Sequence, residues 1–117
     1  MLIAYYVLCA LLFVGALLHG YGSLIAYSKG STARVWSLGS AAQAALLAAL
    51  VAVIGPEASP EPVSVIALIG VVAWLITIIA FGRAISKLTD PRVIYHFVVS
   101  VLLAGILAAG LAGMPLA

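Results

Sequence analysis

Apolar residues run almost unbroken through four stretches, and polar positions collect in the short gaps between them. Residues 2–27 carry no charge, 35–55 are dominated by Ala and Leu, 63–81 are rich in Val and Ile, and 93–113 are again apolar. At about 1.5 Å per residue, a helix of about 20 residues crosses roughly 30 Å of hydrocarbon. In lipid each run must satisfy its own backbone hydrogen bonds, so helix is expected even over 63–72, whose β-branched residues favour strand in water. Gly55-Pro56 stops the second stretch, and Glu57, Ser59, Pro60, Glu61 and Pro62 make a stiff polar turn. Asp90-Pro91 reads as an N-cap and first-turn proline opening the fourth. The pattern predicts an all-α protein of four transmembrane helices.

Composition agrees. The 117 residues are 67% hydrophobic and 7% charged, too few charges to coat a water-soluble particle. Residues 1–28 lack a basic leader-type start and exceed the apolar core of a secretion signal, so they read as a retained membrane helix. The single Cys9, inside an apolar run, excludes an intrachain disulfide and a Cys-based metal site.

Charge then orients the helices. Lys29 and Arg34 lie in the first gap, Arg83, Lys87 and Arg92 in the third, and Glu57 and Glu61 in the second. The positive-inside tendency places both basic turns in the cytoplasm and both termini outside, N-out and C-out. The two basic turns also resemble each other. Ser28-Lys29 and Arg34-Val35 return, 58 positions on, as Ser86-Lys87 and Arg92-Val93, and the same shift pairs Gly55 with Gly113. This implies two tandem helical hairpins, 1–58 and 59–117, forming a parallel repeat. Small residues at three- to four-residue spacing, Ala41, Ala45, Ala48 and Ala52 in one helix and Gly105, Ala109 and Gly113 in another, are the expected close helix contacts, within the chain or between copies.

Candidate chemistry is sparse. No Ser/His/Asp set, phosphate loop or metal-ligand cluster is present, and no carboxylate lies inside a membrane segment to couple protons to transport. Gly20-Tyr21-Gly22 imitates a potassium filter, but Leu18-His19 stands where ligating residues are needed. His19 and His96 are the one pair suited to haem ligation. Counted from the segment boundaries, His19 lies roughly 12 Å deep and His96 roughly 5 Å, which disfavours a shared haem. A quinone or proton site at His19 is the competing reading, against histidines that merely bond a neighbouring carbonyl or hydroxyl.

Hairpins with outward termini, small-residue helices and a short basic cytoplasmic turn resemble the pilins of conjugative type IV secretion systems. The text Phe81-Gly82-Arg83-Ala84 before the turn is similar to that family's turn region. The resemblance implies an oligomerising, non-enzymatic filament subunit. Lys29, Arg34, Arg83, Lys87 and Arg92 would line a lumen and meet lipid phosphates or single-stranded DNA. Its implied partners are membrane lipids, copies of itself and other membrane subunits; it implies no cofactor beyond bound lipid. Two hairpins in one chain and the missing leader depart from the family's single hairpin with a cleaved leader. The alternative is a membrane anchor subunit of a redox complex, binding quinone or haem b near His19 and His96.

Overall fold

The computed structural model of the chain describes residues 1–116. Four helices, α1 (Leu2–Ala26), α2 (Thr32–Ile54), α3 (Glu61–Ala84) and α4 (Pro91–Leu111), make up the fold, with no strand among the described residues. All four are long and apolar enough to cross a bilayer. Each helix packs against its chain neighbour, and α1 closes the ring against α4, while among the described residues the backbones of the diagonal pairs stay further apart. The result is an up-down-up-down bundle in which each hairpin holds the other.

Local chemistry sets the helix ends. Ser31 Oγ accepts from the Arg34 N–H at 3.2 Å, and Asp90 Oδ1 accepts from the Arg92 N–H at 2.9 Å, with Pro91 in the first turn behind it. Both caps satisfy amide donors that a helix start leaves unpaired. At the opposite end α2 stops at Gly55, whose φ of +79° is open to glycine but strained for other residues. Gly110 of α4 lies so close to the Pro56 carbonyl and to Ala58 that no side chain fits between them. The acidic turn therefore packs directly on α4.

Tyr5, Leu12, Val51, Val71, Leu103 and Leu107 are fully buried, and the Tyr5 hydroxyl donates to the Val51 carbonyl at 2.6 Å, pinning α1 to α2. Outward positions are equally apolar: Ile3 is 80% exposed and Val53 86%. A surface of this kind suits lipid and not water.

The burial pattern shows how the hairpins correspond. Buried Tyr5, Leu8, Leu12, Gly15 and Ser23 of α1 stand 59 positions before buried Ser64, Ala67, Val71, Trp74 and Gly82 of α3. Ala41, Ala44 and Ala48 of α2 stand in the same relation to Ser100, Leu103 and Leu107 of α4, and the caps Ser31 and Asp90 do so as well. The shift of 58 drawn from the basic turns is thus corrected by one residue. One residue is about 100° around a helix, so the shorter shift sends buried Tyr5 to Val63 and buried Ala44 to Leu102, both on the outside. Gly55 and Gly113, which the shorter shift pairs, do share a positive φ.

The expected small-residue contacts divide between the two hairpins. Ala41 and Ala48 are buried, and Ala45 and Ala52 are half-buried against the core. In α4, by contrast, Gly105 and Gly113 are exposed with nothing near them, and Ala109 is half-buried. The inward face of α4 is Val93, His96, Val99, Ser100, Leu103 and Leu107, so its Gly105 stripe looks out of the bundle and not toward α1 or α3.

Candidate functional site

Polar groups inside the bundle gather at the basic end. His19 and Ser23 stand one turn apart on α1, Ser37 and Ser40 face them from α2, and Arg92 and His96 stand one turn apart on α4. With Tyr27 and Phe81 they line two adjoining cavities. One, of about 200 Å³, is walled by Trp36, Trp74, Thr77 and Ile78. The other, of about 350 Å³, runs along α1 past Gly15, Leu18, Gly22 and Ala26 to Tyr95. His19, Tyr27, Ser37, Phe81, Arg92 and His96 border both. The walls are mostly apolar and aromatic, with a few polar atoms at fixed places, the usual make-up of a small-molecule site.

The two histidines meet because the hairpins are offset along the bundle. The Tyr95 hydroxyl donates to the Leu11 carbonyl at 2.7 Å, and the His96 ring lies over Gly15, 2.9 Å from where a Cβ would stand. The first turns of α4 therefore pack against the middle of α1, one turn from His19. This removes the depth difference expected from counting residues, which assumed that α1 ends and α4 begins at one level. Gly15 makes the approach possible.

His19 belongs to a short hydrogen-bonded chain. Ser23 donates to the His19 carbonyl at 2.7 Å, so its hydroxyl accepts from Ser37 at 2.5 Å. Ser37 Oγ in turn lies 3.4 Å from His19 Nε2 and, its own proton spent, accepts there. That order assigns the Nε2–H tautomer and leaves Nδ1 as an acceptor.

On the other side of the cavity the accounts do not close. His96 is 7% exposed and Trp74 3%, their rings edge to face at 5.6 Å, yet His96 Nδ1 and Trp74 Nε1 have no hydrogen-bond partner among the described residues. The same holds for Ser100, one turn along α4, although Ser23, Ser40, Ser64 and Thr77 each donate back to the carbonyl four residues earlier. Unpaired buried polar groups are rare because each forgoes its hydration without return.

At the mouth Arg92 grips Asp90 through two parallel bonds, Nε to Oδ1 at 2.9 Å and Nη2 to Oδ2 at 3.0 Å, and lies over the Phe81 ring at 5.4 Å. Hydrogen bonds from the Arg92 side chain and backbone hold the Asp90 carboxyl down at about 2. Compared with known protein families, curated proteins and solved structures, the chain matches none.

The basic residues share one end but not one site. Lys29, Arg83 and Lys87 are exposed and Arg34 is half-buried, while Arg92 alone borders the cavities. No group of three His, Cys, Asp or Glu among the described residues is placed to hold a metal ion. Reading the sequence missed Trp74, Ser37, Gly15 and Arg92 as parts of this site. A signal was present, since Arg92, His96 and Ser100 fall at four-residue spacing and place three polar side chains along one helix face.

Proposed function

We propose that this is an integral membrane protein that binds a flat, lipid-soluble ligand of the quinone type between α1 and α4 at its basic end. The observation that carries the reading is the meeting of His19 and His96 across an aromatic cavity. One polar pole is His19 with Ser37, the other His96 with Trp74, and Phe81, Trp36 and Tyr27 supply flat apolar walls between them. A ring bearing oxygens on opposite edges matches two poles across such walls.

The test is titration of a short-tailed benzoquinone into the protein in nanodiscs, following tryptophan fluorescence. Saturable quenching beyond that of a membrane peptide control, lost in a His19→Ala, His96→Ala double variant, is expected. Quenching that only tracks partition into lipid would overturn the reading, and a Soret band in the purified protein would replace quinone by haem.

A second reading, assembly into a pilin-like filament, is supported by the outward Gly105 stripe and the exposed Lys29, Arg83 and Lys87. Negative-stain images of sheared cell surfaces would show filaments under that reading and none without it.

A further inference from the structure

The unpaired polar atoms at the inner pole carry a statement about which redox form of the ligand binds. Trp74 Nε1–H can only donate, since an indole nitrogen has no lone pair to offer. His96 can donate or accept at either ring nitrogen by changing tautomer, and a serine hydroxyl does both. Of the groups at this pole, Trp74 is therefore the one with a fixed demand, an oxygen that accepts. Its Nε1 is closed to water and unpartnered, and its ring forms part of the wall of the 200 Å³ cavity beside His96.

We infer that Trp74 makes the site selective for the oxidised ligand, whose ring carbonyl accepts from Trp74 Nε1–H after a small rotation of the indole toward the cavity. A carbonyl oxygen has two lone pairs and no proton, so it takes the Trp74 hydrogen bond and leaves a second lone pair for a ring N–H of His96. The reduced ligand carries a hydroxyl at the same place. Its proton must then point to His96, which must shift to the other tautomer, and its oxygen serves Trp74 as a weaker acceptor. His96 accommodates both forms, and Trp74 favours one.

Trp74 corresponds in register to Gly15, and the His96 ring lies between them over Gly15, so the layer holds one large residue where symmetry would place two. Ser100 lies one turn deeper on the face of His96, and Ala41, its counterpart in α2, is buried without a polar group.

This inference rests on the quinone reading above, and its experiment separates the two. Equilibrium dialysis of a short-tailed benzoquinone and of its quinol, under argon, would be run against the protein in nanodiscs, with empty nanodiscs as blank. The quinone should bind tighter than the quinol by about 3- to 10-fold, the worth of one net hydrogen bond. Trp74→Phe keeps the ring contact and removes the donor, so the ratio should fall toward one, with the quinone losing more affinity than the quinol. An unchanged ratio in Trp74→Phe, or tighter binding of the quinol by the wild type, overturns the inference and leaves the site standing. Saturable binding of neither form overturns the quinone reading itself. A second measurement needs no variant: with ¹³C-carbonyl quinone, the bound C=O stretch should lie below its position in lipid. A band at the lipid position would overturn the hydrogen bond.

Discussion

Gly15 shows how much one residue can decide. A Cβ there would stand 2.6 Å from the Tyr95 ring and 2.9 Å from the His96 ring. Gly15→Ala should therefore cost about 1–3 kcal/mol despite the better helix propensity of alanine, through overpacking of two rings that cannot both retreat. Thermal unfolding in detergent would read it, with Gly22→Ala, which meets nothing within 4 Å, unchanged or slightly more stable. Tyr5→Phe should cost about 0.5–1.5 kcal/mol by removing the buried bond to Val51. At this scale the sequence was only partly legible. His19 and His96 stood out as rare polar residues in apolar text, but Gly15 and Trp74 are ordinary membrane-helix residues until a partner is placed beside them.

Helix existence and type were fully legible, and the ends nearly so. α2 begins at Thr32 and not near Val35, because Ser31 caps it and Arg34 lies in its first turn and not in the loop. α3 begins at Glu61, the Pro62 that resembled a turn residue being tolerated in a first turn. The start of α4 carries a pH dependence. Asp90 titrates near 3.8 in the unfolded chain and at about 2 when paired with Arg92. A lowered carboxylate pKa stabilises the fold above the unfolded value, and that stability is lost as pH falls through 4 toward 2. Unfolding midpoints should drop over this window in the wild type. In Asp90→Asn, which still caps but cannot titrate, that part of the drop should vanish.

For the whole molecule, charge and hydropathy specified an alternating bundle but not the packing of its hairpins against each other. The Ser-Lys and Arg-Val text repeats at 58, while buried faces repeat at 59, because identical letters in a turn do not fix the angle at which the next helix starts. The topology has its own test. Cys9 is buried, so Lys87→Cys and Glu57→Cys would each supply the reactive thiol. Impermeant maleimide on intact cells should label the Glu57 position, and the Lys87 position only after lysis; the reverse pattern would invert the orientation.

The one-residue correction in register has a last consequence for how the halves recognise each other. Two copies of 1–58 joined about the same axis would set Gly15 against Gly15 and Ser37 against Ser37, leaving a hole. Two copies of 59–117 would crowd Trp74 against Trp74 and His96 against His96. Key and keyhole are thus divided between the hairpins. Expressed as separate chains, each should choose the unlike partner over its own kind.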